Sequence, residues 1–315
     1  MYLMDARIKF RHLQTFLEVA RQRSVSKAAD ALAITQPAVT RTIRELEEIL
    51  GVVLFDKDGR GIRISHFGEV FQKHAGESIA SVQRGIDSIV EAQKSGGPPI
   101  RIGALPTVSA TFMPEAVADF LAIGTGSRVT IVSGENRMLL AALRQGELDL
   151  VVGRLAAAEL MEGLHYEPLY SEEVTIVVRP QHPLRARRNF TLAELSQYTV
   201  LMPTRGSVIR PFVDRLLLTN GIPELPRMVE TVSDSFGRAF TARHDAVWII
   251  SRGVVAMELE SGQLSELKID MRETRGSVGL TTKPGSADDT PSLSLMMQTI
   301  RNHVGGLHAS SSYGR

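Results

Sequence analysis

The chain has 315 residues, 43% hydrophobic and 23% charged, with a formal net charge of +1 and no cysteine. The length calls for two or three domains, the composition excludes disordered and fibrous classes, and the missing cysteines exclude disulfides, thiolate metal sites and a cysteine nucleophile. Charge is uneven: residues 1–66 carry 11 Lys/Arg against 8 Asp/Glu, and the rest sums to −2, a basic module on a mildly acidic body that points toward nucleic acid.

The first sixteen residues alternate charged and apolar positions without an apolar h-region, and no stretch approaches the ~18 apolar residues of a span. The expectation is a cytoplasmic chain with no membrane partner. Leu13, Phe16, Leu17 and Ala20 place one apolar face on a first helix. Ser24 and Ser26 offer N-cap oxygens for a short second helix, Lys27–Leu32, whose small alanines allow close helix approach. Ala33 and Ile34 make a tight connection, and Thr35 caps a third helix that tolerates Pro37 in its first turn. On that helix Val39, Ile43, Leu46 and Leu50 point inward, while Gln36, Thr40, Arg41 and Arg44 point outward. Two short helices joined by a tight turn, the second presenting hydrogen-bonding and cationic groups, make a helix-turn-helix. Arg reads guanine, Gln reads adenine, and Thr reaches a base edge or a phosphate. Two β-rich arms then flank Asp58-Gly59, a hairpin signal that forms a wing carrying Arg60 and Arg63. A solvated helical bundle is the plainer alternative, disfavoured because capping, proline placement and face segregation coincide.

Residues 66–94 hold Phe67, Phe71, Ala75, Ile79, Val82, Ile86 and Ile89 on one stripe, closest to a/d spacing in its second half. The stripe predicts a linker helix that pairs with a second copy of the chain; packing on its own winged domain is the competing reading. Ser95-Gly-Gly-Pro-Pro99 breaks the chain. Beyond it, strands are predicted at 100–105, 128–133, 148–153, 174–179, 200–202, 228–232 and 247–250, with helices at 114–122, 137–145 and 208–220. The alternation argues for α/β architecture with largely parallel sheets. The tail from Ala309 to Arg315 is expected to be disordered.

Catalysis finds no support. There is no Gly-x-Ser-x-Gly elbow, no phosphate loop and no His-Glu-x-x-His, and the eight histidines form no i, i+3 or i+4 pair. No cofactor and no metal are expected. Thr107-Val-Ser109 follows the first strand of the second half, and Thr204-Arg-Gly-Ser207 follows another just before a helix. Both offer hydroxyls and backbone N–H groups suited to an anion, to which Arg205 adds charge. A free-standing solute-binding protein is the second reading, opposed by the extra N-terminal module.

Phe10–Phe16, Ser26–Leu32, Thr35–Glu47 and Gly51-Val-Val-Leu-Phe-Asp-Lys57 resemble the N-terminal domain of LysR-type transcriptional regulators. Gly146-Glu-Leu-Asp-Leu150 and His182-Pro-Leu184 resemble that family's effector-domain markers, so the likeness covers nearly the whole chain. Within the family, Gly103–Thr107, Leu201–Arg205 and Glu230–Phe240 look like activators of protocatechuate-branch (β-ketoadipate) catabolic operons. The resemblance implies a multi-domain fold. A winged helix-turn-helix would occupy 1–66, a linker helix 67–94, a hinge 95–99 and an effector domain 100–308. That domain would be two-lobed α/β, of the type 2 periplasmic-binding-protein kind, with lobe one at 100–173 and 273–305 and lobe two at 174–272. It also implies double-stranded operator DNA, a small carboxylate effector such as carboxy-cis,cis-muconate or its lactone, self-association to a dimer or tetramer, and RNA polymerase as partners. By motif position it adds Ser26, Lys27 and Pro37 to the DNA-binding set. It brings Glu135, Arg154, Ser235 and Phe236 to the effector cleft, where Glu135 departs from the Thr or Ser frequent in the family.

Overall fold

The computed structural model describes residues 7–58, 61–94, 97–187, 190–286 and 290–311. The chain divides into a unit built on Met1–Gln93 and a second built on Lys94–Leu143 and Leu148–Arg315.

In the first unit α1 (Phe10–Gln22), α2 (Val25–Ala31) and α3 (Gln36–Leu50) precede a hairpin of β1 (Phe55–Asp58) and β2 (Gly61–Ile64) and a 29-residue helix, α4 (His66–Lys94). The Ser24 side chain caps α2 by accepting from the Lys27 amide, and Thr35 caps α3 by accepting from the Ala38 amide. Between them Ala33 takes a left-handed φ of 54°, so the tight turn is made without glycine. Phe16, Val19, Ala28, Val39, Leu46 and Leu54 are fully buried in one core, with Ala29 and Ile43 nearly so. The wing pairs Phe55 with Ile64 and Asp58 with Gly61, and the Glu47 carboxylate accepts from the Leu54 amide at 2.7 Å, tying α3 to the wing's base. Ser65 caps α4 by accepting from the Gly68 amide at 3.0 Å. At Gly68 a Cβ would collide with the Leu54 carbonyl, so glycine lets α4 lie against the chain entering the wing.

The second unit runs β3 (Ile100–Ala104), α5 (Pro106–Ser109), α6 (Met113–Ala122), β4 (Val129–Ser133), α7 (Asn136–Gln145), β5 (Leu150–Arg154) and β6 (His165–Glu172). Next come β7 (Val174–Val178), β8 (Thr199–Met202), α8 (Arg210–Thr219), β9 (Met228–Glu230), α9 (Asp234–Arg243), β10 (Ala246–Ser251), α10 (Ala256–Glu260) and β11 (Ser265–Glu266). The chain closes with β12 (Gly276–Thr282) and α11 (Pro291–Ser311). Two five-stranded sheets result, ordered β4-β3-β5-β12-β6 and β11-β7-β10-β8-β9. Each is covered on both faces. In the second, Val247 and Ile249 enter one apolar cluster while Trp248 enters the opposite one, the period-two alternation of a strand.

The sheets are mixed rather than largely parallel. In each, two strand pairings are parallel and two antiparallel, with one strand, β12 in the first sheet and β7 in the second, running against the other four, because the chain crosses from one sheet to the other after β6 and returns before β12. Both crossing strands escape the hydrophobic pattern. β6 carries Pro168 opposite Gly279, where the register shifts, and a proline is tolerated there because β6 lies at the sheet edge. Of the tail expected to be disordered, residues 309–311 belong to α11, which continues through Ser311; residues 312–315 lie outside the described ones. No helix among the described residues is long and apolar enough to cross a membrane.

Candidate functional site

On α3 the outward side chains Gln36, Pro37, Thr40, Arg41 and Arg44 line one shallow concave face together with Glu45 and Glu48. Ser26, at the start of α2, donates to Gln36 Oε1 at 3.2 Å, so the two helices share one polar surface at the turn. Lys27 is exposed beside it. Arg41 is 82% exposed and paired with Glu45 at 3.0 Å; Arg11 reaches the same carboxylate at 3.3 Å. Arg41 holds the Glu45 carboxyl below the usual carboxylate range. The spacing of α3 accounts for the split, because Val39, Ile43 and Leu46 are buried on the opposite face. On the wing, Arg63 is exposed, 3.8 Å from Asp56; Arg60, expected beside it, lies outside the described residues.

The second unit holds a cavity of about 340 Å³ between its lobes. Its walls follow a rule of α/β folds: ligands sit beyond strand C-termini, where helices begin. β3, β4 and β5 end at it from one lobe; β8, β9 and β10 end at it from the other, and α5, α7 and α9 start there. Thr107, Asn136 and Arg154 line it from the first lobe, Ser207, Ser233 and Ser251 from the second, over an apolar floor that includes Trp248 and Val254.

Arg154 is 3% exposed. Its Nη2 donates to the backbone carbonyls of Glu172 and Thr274, and its guanidinium lies 4.8 Å from the centre of the Phe212 ring. Nε and Nη1 are buried with no hydrogen-bond partner. Burial pushes the Arg154 pKa down, against the pull of Glu172. The cavity's other charges are Glu135 and Asp234. Glu135 is exposed and accepts from the Thr204 hydroxyl at 3.0 Å, a hydrogen bond from lobe to lobe; burial raises the Asp234 carboxyl while Arg238 lowers it.

Of the residues expected at the cleft, Thr107, Glu135, Arg154 and Ser207 line the cavity. The others do not. Ser109 turns its hydroxyl back to the Leu105 carbonyl at 3.1 Å, one turn earlier in α5. Thr204 is spent on Glu135, and Arg205 is exposed outside the lining. Arg210, whose sequence position puts it one turn beyond, is held by Asp214 and Glu230 at 2.7 Å each. Ser235 and Phe236 are displaced by the cap of α9: Ser233 is the N-cap, so Ser233 and Asp234 face the cavity while Phe236 stacks on Phe240. No sequence signal marks Asn136, which opens α7, or Ser251, which ends β10. Glu172, behind Thr107, carries no signal in the sequence.

The sequence matches the LysR substrate binding domain over residues 93–305 and the bacterial regulatory helix-turn-helix protein, lysR family, over residues 10–69. The HTH-type transcriptional regulator PcaQ of Agrobacterium fabrum is 54% identical over 314 residues, covering 99% of this chain and 100% of the relative. The uncharacterized HTH-type transcriptional regulator YdcI of Escherichia coli is 32% identical over 302 residues, 96% of this chain and 98% of its own. The crystal structure of full-length CbnR complexed with its target DNA superposes with a TM-score of 0.60 at 21% identity, covering 94% of this chain and 100% of that one. With both its domains matched and a full-length relative at this identity, the chain belongs to the LysR family of bacterial helix-turn-helix transcriptional regulators.

Proposed function

We propose that this regulator activates an operon of protocatechuate-branch catabolism in response to a small carboxylate held between the lobes of its second unit. The operon follows from the 54% identity to PcaQ along the whole chain. The observation that carries the carboxylate is Arg154, a buried cation facing a cavity with two N–H groups idle. A carboxylate supplies the anionic acceptors that such unpartnered charged donors lack. Operator DNA is read by Gln36, Thr40, Arg41 and Arg44, flanked by Ser26, Lys27 and Pro37, with Arg63 on the wing reaching the backbone; CbnR supplies the precedent of a LysR-fold chain on its target DNA. The regulator works in the cytoplasm as a dimer or tetramer and engages RNA polymerase at the promoter. A ligand shifts a conformational equilibrium only by its differential affinity for the states, and the Glu135–Thr204 bond between the lobes is a contact such a shift would alter. Calorimetric titration of the full chain with protocatechuate, carboxy-cis,cis-muconate and its lactone, beside a promoter reporter, tests the reading. Binding of at least one acid with matching induction is expected; binding of none overturns the effector class.

A further inference from the structure

Glu172 ends β6, is 9% exposed, and stands directly behind the cavity wall. The Thr107 hydroxyl lies 2.6 and 2.7 Å from its two oxygens, and the Gly253 amide donates to Oε1 at 2.6 Å. Thr107 lines the cavity; Glu172 does not. The charges that reach Glu172 are Arg154 from β5 and Arg252 from the turn after β10; Tyr170 of β6 is a neutral phenol, which burial and the Glu172 charge hold above its usual range.

A hydroxyl has one proton to give. While Glu172 is ionised, Thr107 donates inward and offers the cavity only lone pairs, which repel a carboxylate. Once Glu172 is protonated, its own O–H donates to Thr107 Oγ1, and the Thr107 proton is free to turn to the ligand. An arriving carboxylate also brings negative charge to the guanidinium that had been balancing Glu172. Both effects favour the protonated form, and burial already holds the Glu172 carboxyl above the usual carboxylate range.

Resting on the carboxylate reading above, we propose that Glu172 is a positioning residue of the effector site: binding of a carboxylate draws one proton from solvent onto Glu172, and that proton turns the Thr107 hydroxyl toward the ligand. The proton comes from water or buffer, the Glu172 carboxylate receives it, and no other bond changes.

The test is calorimetry of the full chain with carboxy-cis,cis-muconate from pH 6 to 9, in buffers of low and high ionisation enthalpy. The wild type should take up close to one proton in part of this range, and above the Glu172 pKa its affinity should fall up to tenfold per pH unit. Glu172→Gln mimics the protonated acid, because its amide donates to Thr107. It should bind without uptake, independently of pH, and at high pH about tenfold more tightly than wild type. Binding without uptake in the wild type, or equal uptake in Glu172→Gln, overturns the role of Glu172 alone. Absence of binding by carboxy-cis,cis-muconate, its lactone and protocatechuate alike overturns the carboxylate reading with it. The wild-type measurement decides the matter even if the variant does not fold.

Discussion

A guanidinium buried without partners for two of its donors is costly, and at Arg154 that cost falls on the residue that faces the cavity. Arg154→Met should therefore lower carboxylate affinity by about 1.5–3 kcal/mol, the range for hydrogen bonds to charged groups, measured by titration calorimetry. Arg205→Ala is the control: exposed and outside the lining, it should change affinity by less than about twofold, as expected for a solvent-screened charge. On α3 the free protein keeps Arg41 on Glu45. Arg41→Ala should cost about 1–3 kcal/mol of operator affinity if it reads a base. Glu45→Gln should strengthen binding to any duplex at low salt, since it removes a negative charge beside the DNA-facing cations. Fluorescence anisotropy at two salt concentrations separates the two effects.

At the scale of elements, α4 changes character along its length. Phe71 and Ala75 pack into the winged core, Phe71 edge-on to Phe16 at 5.2 Å between ring centres, so these two members of the predicted stripe belong to the chain's own domain, while Phe67 stays exposed. Further along, Val82, Ile86 and Ile89 are 48%, 49% and 63% exposed. Replacing those three with glutamate should leave the unfolding midpoint of the winged unit unchanged but weaken self-association, seen by sedimentation. Phe71→Ala should cost about 3 kcal/mol in chemical unfolding. In the second unit α9 comes against its sheet at Gly237, where a Cβ would collide with the Trp248 ring. Gly237→Ala should destabilise by about 1–3 kcal/mol through overpacking.

For the whole molecule, two units with separate cores should melt as two transitions. A ligand stabilises only the fold that binds it, by about 2.7 kcal/mol at a hundredfold excess over its Kd. Scanning calorimetry with saturating effector should move the transition of the second unit and leave that of the winged unit in place. Two-fold pairing of the chain requires an operator of approximate inverted symmetry, with half-sites about one helical turn apart or a multiple of it. Footprinting of the promoter should show such protection, and an asymmetric single half-site would count against pairing.

The sequence alone determined what local physics determines. Helix periodicity, caps at Ser24 and Thr35 and the face split on α3 fixed the N-terminal helices, and the structure places Gln36, Thr40, Arg41 and Arg44 on one face because 3.6 residues per turn leave no other arrangement. Strands buried on both sides, such as Leu150–Arg154, announce themselves as apolar runs. Pro168 and the glycines of β12 hid the crossing strands, whose stability comes from neighbours distant in sequence. The cavity was legible only in part. Thr107 and Ser207 stand where a strand ends and a helix begins, whereas a two-residue offset at the Ser233 cap exchanged Ser235 and Phe236 for Ser233 and Asp234. Tertiary structure alone decided that Thr107 meets Glu172, 65 residues away, and that Arg154 keeps two donors free. A hydrogen bond between distant segments depends on how two strands are brought together, and no local pattern records that.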